Sequence, residues 1–265
     1  MTAMSLPANN HSFNSAAPVG DSRQGIDLPG LLDLLAHGAI SGRQDIPWGS
    51  NYTFLVQIEK APFCTLAIYK PQRGEAPLWD FRAGTLCYRE YVAYLVSAAL
   101  DWWLVPPTVL RDGPFGLGMA QLYVDADPNE SYFDLRDDQF GDQLMRIAAF
   151  DVLTNNADRK GGHVLRDRGT NRLWAIDHGL TFHTEYRLRT VIWDFAGQPL
   201  PADIVRDCGQ LLNQLRKGEP LSAELGKLVS PGELNALRRR TEALIANPVF
   251  PSQHPAYHNI PWPPV

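Results

Sequence analysis

The sequence predicts an α/β (α+β) chain in two lobes, a small β-rich N-terminal lobe and a larger α-rich C-terminal one. Three observations carry this expectation. Tyr52 to Lys70 alternates with strand period around one internal turn, apolar residues recur at helical spacing over Thr85–Leu100 and Asp142–Thr154, and the polar run D-A-D-P-N-E separates the two halves. With 265 residues, 45% hydrophobic and 20% charged, the chain can bury a full core. The expected boundaries are 1–25 for a disordered leader, 26–124 for the N-lobe with its hinge, 125–247 for the C-lobe and 248–265 for a proline-rich tail.

Each element has a local reason. The leader is polar and Asn/Ser-rich, without the charged and apolar regions of a signal peptide. Leu28–His37 has helical apolar spacing, with Asp27 in the N-cap region and Gly38 ending it. Gly49, Ser50 and Asn51 read as a segment that covers phosphates with backbone N–H groups, or equally as a strand-entry turn. The strands Y-T-F-L-V-Q-I and F-C-T-L-A-I-Y-K follow, turning at Lys60, Ala61 and Pro62. Pro71 cannot continue a ladder, so Lys70 stands at the strand's exit. The helix over Thr85–Leu100 buries Leu86, Tyr91, Ala93, Leu95 and Ala98 and carries Glu90.

Further along, T-V-L and Met119–Val124 form a hairpin around Gly113, Gly116 and Gly118, which do not stand in the order G-x-G-x-x-G. The second strand of that hairpin carries Gln121, Leu122 and Tyr123 to the junction of the two lobes. Asp125–Glu130 opens like a calcium loop, but Glu130 and Arg136 stand where Gly and Glu are required, leaving a polar linker. In the helix over Asp142–Thr154, Asp151 reads as a satisfied polar group supporting the next loop. Leu173–Ile176 reads as a short buried strand delivering Asp177, with Gly179 turning the backbone away. Pro201–Leu215 and Glu233–Ile245 complete the helical lobe, and the tail from Pro248 packs as an extended strap or stays loose.

The chemistry concentrates in T-N-N-A-D-R-K-G-G-H (Thr154–His163) and A-I-D-H-G-L-T-F (Ala175–Phe182). Phosphoryl transfer needs one carboxylate to orient and deprotonate a hydroxyl and another to hold a metal on ATP phosphates. Asp158 fits the first role and Asp177 the second. His163 follows Asp158 by five positions, where a second metal ligand, commonly Asn, is expected. An imidazole there favours Mn²⁺ over Mg²⁺ and predicts an acid limb near the ordinary pKa of about 6.5; the alternative is a His that only bonds the loop backbone. Lys70 would hold the phosphates and Glu90 would orient it, although spacing alone also allows a strand-end lysine and a solvated glutamate. Arg159 or Lys160 would offset transition-state charge, with plain solvation the simpler reading for Lys160.

A-I-D-H-G-L-T-F resembles the A-I-D-N-G-L-A-F segment of type II phosphatidylinositol 4-kinases, and N-A-D-R-K-G-G-H is similar to their T-D-R-G-N-D-N loop. A looser likeness reaches the HipA and Fam20 kinases. Trp48 to about Val249 resembles a bacterial family described as phosphatidylinositol 3/4-kinase-like. The resemblance implies a two-lobed protein-kinase-like fold, ATP with Mg²⁺ or Mn²⁺, a hinge strand whose Gln121, Leu122 and Tyr123 lie against adenine, Asp158 as catalytic base, and His163 and Asp177 as metal ligands. The cysteine-rich segment of type II lipid kinases has no counterpart here, since Cys64, Cys87 and Cys208 stand far apart.

The expected function is transfer of the ATP γ-phosphoryl group to a hydroxyl on a lipid, protein or small metabolite, a choice no segment encodes. The first alternative is a catalytically weak nucleotide-binding pseudokinase module. A metal-dependent hydrolase using Asp158, His163, Asp177, His178 and His183 is less favoured, because H-E-x-x-H and H-x-H-x-D are absent and Lys70 and Glu90 would stand idle. A net charge of −5 argues against nucleic acid, and no apolar run approaches the roughly 20 residues of a membrane span, so a cytoplasmic location is expected.

Overall fold

A computed structural model describes residues 26–46 and 52–265. The expected leader and the segment with Gly49, Ser50 and Asn51 lie outside the described residues. Helix α1 (Leu28–His37) starts where the Asp27 carboxylate accepts the Gly30 N–H at 2.9 Å, with Pro29 early in the helix, where its missing N–H costs nothing. It ends at Gly38, where a Cβ would stand 2.5 Å from Ile58 Cγ2 and 2.6 Å from Leu34 O. That close approach leads directly into β1 (Ala39–Ile46), a strand the sequence does not announce. A-I-S-G-R-Q-D-I lacks period-two alternation because β1 is a largely exposed edge, with a register shift between Ile40 and Gly42.

Strands β2 (Thr53–Lys60), β3 (Phe63–Pro71), β4 (Thr108–Gly113) and β5 (Gly116–Leu122) complete an antiparallel sheet in the order β1-β2-β3-β5-β4. Phe54, Val56, Ile58, Ala67, Tyr69 and Ala120 point to one face, where Leu31, Leu34 and Leu35 of α1 cover them. Alternation then places Lys70 on the other face, in register with Met119. The β4–β5 turn closes with Gly113 opposite Gly116, whose φ of 90° suits glycine.

Helix α2 (Leu86–Ala99) belongs to a second, larger core. Its Val92, Val96 and the following Leu100 belong to the same buried cluster as Ile147, Phe150 and Leu153 of α3 (Gly141–Thr154). Each such side chain contributes roughly 1.5–3 kcal/mol on full burial. The hairpin β6 (Val164–Arg166) and β7 (Leu173–Ala175) and the helices α4 (Ala202–Gln214), α5 (Pro220–Leu228) and α6 (Pro231–Ala246) complete the lobe. Pro231 opens α6 inside a reciprocal cap between Ser230 and Glu233. None of the cysteines forms a disulfide; Cys87 and Cys208 are core residues, whereas Cys64 is only half-buried on β3.

The tail is a strap. Its carbonyls receive the N–H groups of Leu200 (at Pro248 O, 2.8 Å), Thr190 (at Asn259 O, 2.9 Å) and Gly161 (at Pro264 O, 2.7 Å). The last two contacts land beside Asp158 and on the segment after Asp177, so the strap lies across the chemistry-bearing loops. Among the described residues no helix is long and apolar enough to cross a membrane.

Candidate active site

α3 ends at Thr154 and Asn155 takes a left-handed conformation, φ 54°, which Asn tolerates better than most residues. The Asn155 amide donates to His183 O at 3.1 Å and Glu185 O at 2.6 Å, and its Oδ1 accepts the Arg187 N–H at 2.9 Å. Asn156 donates to Asp151 Oδ1 at 3.0 Å and accepts the Asp158 N–H at 2.9 Å. The two asparagines thus fix the loop on both sides and leave the Asp158 carboxylate partly exposed. Its nearest cation is Lys160, Nζ to Oδ2 3.6 Å. Burial raises the Asp158 pKa to about 6 against the pull of Lys160, close to what a base working near neutrality needs. Lys160 is therefore paired with the candidate base, not merely solvated.

Arg159 departs from expectation. It is fully buried, so it cannot offset charge on a transferring group. Its guanidinium bonds Asp151 at 3.0 and 3.1 Å, Ile176 O at 2.7 Å, His163 O at 3.2 Å and His178 Nε2 at 2.7 Å. Asp151 also accepts from Thr190 Oγ1 at 3.2 Å and from Asn156, so the helix carboxylate has the supporting role its sequence position suggests. One buried cation thereby ties the end of α3, the Asp158 loop and the approach to Asp177. His178 stays neutral because burial and Arg159 hold its pKa well below the ordinary value; with Nε2 accepting, its Nδ1–H is buried without a partner.

The hairpin register explains the next juxtaposition. Val164 pairs with Ala175, and the Ile176 N–H bonds His163 O at 3.0 Å, so Asp177 emerges beside His163. His163 Nε2 lies 3.4 Å from Asp177 Oδ2, and its Nδ1 accepts the Lys160 N–H at 3.4 Å. Burial lowers the His163 pKa to about 4. Gly179 was expected to make the turn, but the left-handed residues are Asp177, φ 59°, and Phe182, φ 63°. The conformation that glycine would favour is imposed on the Asp177 backbone itself.

Across the cleft, Lys70 Nζ bonds Glu90 Oε1 at 2.8 Å and Asp177 Oδ1 at 3.1 Å. Glu90 is only 2% exposed, and its other oxygen accepts the His178 N–H at 2.8 Å. Burial works against the Lys70 charge, but Asp177 and Glu90 outweigh it and hold the pKa above the usual lysine value. Burial also disfavours the Asp177 charge, and Lys70 followed by His163 holds that carboxyl well below its ordinary range. Burial pushes the Glu90 carboxyl up, against Lys70. Arg89, next to Glu90, donates to Thr181 O at 2.5 Å and pairs with Glu233 of α6, anchoring α2 to the helical lobe.

The expected hinge is partly committed elsewhere. Gln121 donates to Thr108 Oγ1 at 2.9 Å, Leu122 turns its side chain into the α1 core, and the Leu122 and Tyr123 N–H groups bond Pro107 O and Leu66 O at 2.8 and 3.1 Å. Any contact of these residues with a base would come from the remaining carbonyl groups and the half-buried Tyr123 ring.

Among the described residues no group of three or more His, Cys, Asp and Glu side chains is placed to hold a metal. His178 is bonded to Arg159, and His183 stacks edge-on to Phe81 at 5.5 Å, so the histidines of the hydrolase reading do not converge. Asp177 with His163 instead fits a divalent cation arriving on nucleotide phosphates, where one or two protein ligands suffice. With Nδ1 accepting from Lys160, the neutral His163 ring carries its proton on Nε2; ligation through Nε2 requires the other tautomer.

No protein-family model matches the chain. It is similar in structure to hydra Fam20 solved with sugar, with a TM-score of 0.52 at 14% identity over 82% of this chain and 86% of that one. It is likewise similar to the Golgi casein kinase with Mn/ADP bound, with a TM-score of 0.50 at 14% identity over 87% of this chain and 80% of that one. These likenesses establish the two-lobed protein-kinase-like fold. In sequence it is 40% identical to protein Rv2133c of Mycobacterium tuberculosis over 265 residues, spanning 87% of this chain and 94% of the relative. The chain belongs to the family of that mycobacterial protein.

Proposed function

We propose that the chain is an ATP-dependent phosphotransferase acting on a hydroxyl acceptor. The observation that carries this reading is Lys70 Nζ, held between Glu90 at 2.8 Å and Asp177 at 3.1 Å, with the Asp158 carboxylate near enough to feel the Asp177 charge. Such a lysine supplies a fixed positive charge for nucleotide phosphates, and Glu90 prevents it from collapsing wholly onto Asp177. Asp158 accepts the proton of the acceptor hydroxyl as its oxygen bonds the γ-phosphorus and the bond to the β-phosphate oxygen breaks. Lys160 lies close enough to offset charge as it develops. A divalent cation, when held by Asp177 and His163, neutralises phosphate charge. The Golgi casein kinase, solved with Mn/ADP, makes that pairing of ligands the natural choice for a first assay.

His163 in contact with Asp177 also supports the second reading, a nucleotide-binding module with weak turnover. The deciding experiment combines ADP·Mn²⁺ calorimetry with γ-labelled ATP transfer on the full chain and on Asp158→Ala. The expected result is ADP affinity within several-fold in both and label transfer in wild type alone. Nucleotide bound without transfer by wild type selects the weak-turnover module, and absence of nucleotide binding refutes both readings.

A further inference from the structure

Beside the Asp158 loop lies a cavity of about 290 Å³ that none of the roles above uses. Its walls come from three places: Trp79 and Phe81 ahead of α2, Tyr186 and Arg189 after Asp177, and Tyr257 of the strap. Trp79 is 88% exposed, an unusual position for the largest apolar side chain unless something covers it. Tyr186 and Tyr257 meet at 5.5 Å between ring centres, making an aromatic wall opposite.

The charges in this cavity are unevenly matched. Arg187 is occupied, its Nη2 on Glu185 at 2.8 Å and its Nε 3.6 Å from Asp80, with its guanidinium carbon 5.7 Å from the Trp79 ring centre. The Arg189 guanidinium, by contrast, has no hydrogen-bond or ion-pair partner among the described residues. Its backbone fixes where it stands. The Arg189 N–H bonds Asn156 O at 2.8 Å and its carbonyl accepts the Arg159 N–H at 3.0 Å, so it sits opposite Asn156 and Arg159, which bracket Asp158. Its charge acts on the Asp158 carboxylate, but its N–H groups make no hydrogen bond among the described residues, so a half-buried guanidinium stands ready to take a planar or tetrahedral anion.

We propose that this cavity is the acceptor subsite of the phosphotransferase and takes a metabolite-sized alcohol bearing a phosphate ester or carboxylate, its anion against Arg189 and its body between Trp79 and Tyr186. The assignment rests on the phosphotransfer reading. Its volume is near the lower end of ligand pockets, about 300–1,000 Å³, which limits the occupant to roughly one ring. The acceptor hydroxyl then reaches toward Asp158, which takes its proton; the oxygen–phosphorus bond forms, the γ-phosphorus bond to ADP breaks, and ADP leaves with that electron pair.

Phenyl phosphate, which has the ring and the anion but no alcohol, tests the subsite without turnover. Titration of the full chain by tryptophan fluorescence, at low salt and with ADP·Mn²⁺ saturating the nucleotide cleft, should show saturable binding about tenfold or more tighter than phenol, the ratio that one charge-assisted hydrogen bond supplies. Arg189→Gln should bring phenyl phosphate to the affinity of phenol, Arg189→Lys should keep much of the difference, and Trp79→Phe should remove most of the fluorescence change. Unchanged affinity in a folded Arg189→Gln variant overturns the proposal. So does Arg189-dependent binding to phosphatidylglycerol vesicles without binding of phenyl phosphate, which would assign the anion to a membrane headgroup. Because ADP binding is read separately by calorimetry, a chain that holds ADP but lacks the Arg189-dependent site overturns this proposal alone, whereas no ADP binding overturns the phosphotransferase reading with it.

Discussion

Replacing Arg159 with Met separates a buried structural cation from a catalytic one. Methionine keeps much of the apolar volume but leaves the Asp151 carboxylate, itself fully buried, with only Asn156 and Thr190 as donors. Removing one partner of a buried pair costs about 3–5 kcal/mol. The Ile176 carbonyl loses its donor as well, worth about 1–3 kcal/mol if water does not reach it, whereas the His163 carbonyl keeps the Ile176 N–H. A protein of ordinary stability has about 5–15 kcal/mol to lose, so the variant should unfold at a far lower urea concentration, followed by far-ultraviolet circular dichroism. Arg159→Lys keeps the charge without the fork and should fall between. Asp151→Leu combined with Arg159→Met should recover part of the loss, because no lone carboxylate remains in the core. An unchanged midpoint in Arg159→Met, with the defect confined to kcat, would refute the reasoning and return Arg159 to a transition-state role.

Asp158 works as a base only when ionised, so label transfer should rise with pH through about 6 and level off above it; Lys160→Ala, which removes the cation holding that pKa down, should move the rise upward. The acid limb expected from an ordinary imidazole does not belong to His163, whose pKa burial lowers to about 4, so His163→Asn should leave the limb near 6 in place. Asp177→Asn should keep the unfolding midpoint while losing metal-dependent turnover, and His163→Asn should raise the ratio of Mg²⁺ to Mn²⁺ activity; an unchanged ratio removes His163 from the metal site. Ending the chain at Ser252 deletes the Asn259 and Pro264 contacts and should lower transfer by at least about tenfold with ADP affinity unchanged, a pattern expected when loop positioning is lost. Equal loss of ADP binding would show that the strap supports the whole fold and not the loops beneath it.

The parts of the fold that were legible are those with a strong local period. Thr53–Lys60 and Phe63–Pro71 alternate because one face meets α1, and α2 and α3 show helical spacing because both sit in one core, although the buried face of α2 runs through Val92 and Val96 and leaves Tyr91, Leu95 and Ala98 of the expected stripe only half-buried. β1 is an exposed edge, β6 has three residues and α5 nine, so none accumulates enough pattern to be seen. In the site, the spacing of Asp158, His163 and Asp177 is local and survives in three dimensions, as does the Lys70–Glu90 pair. Which of the adjacent Arg159 and Lys160 goes inside is a tertiary matter. A signal for it existed: Asp151 interrupts the buried face of α3, and a carboxylate there requires a cation from somewhere near. The cavity beside the Asp158 loop had no such signal, since Trp79, Arg189 and Tyr257 come from three segments far apart in the sequence.

The lysine geometry depends on α2 more than on the strand that carries Lys70. β3 sets which face the side chain leaves, but Glu90 sets how far it travels toward Asp177, and Glu90 rides on a helix whose Val92 and Val96 are packed in the helical lobe. Arg89 reinforces that attachment through Glu233 and Thr181, while Glu90 itself accepts the N–H of the residue after Asp177. A rise of about 1.5 Å per residue means that sliding α2 by one position already exceeds the reach of a 2.8 Å hydrogen bond. The relation between the sheet and the Asp177 carboxylate is therefore held by one helix register, specified by consecutive residues: Arg89 fastens it to the helical lobe and Glu90 reads it out to the lysine.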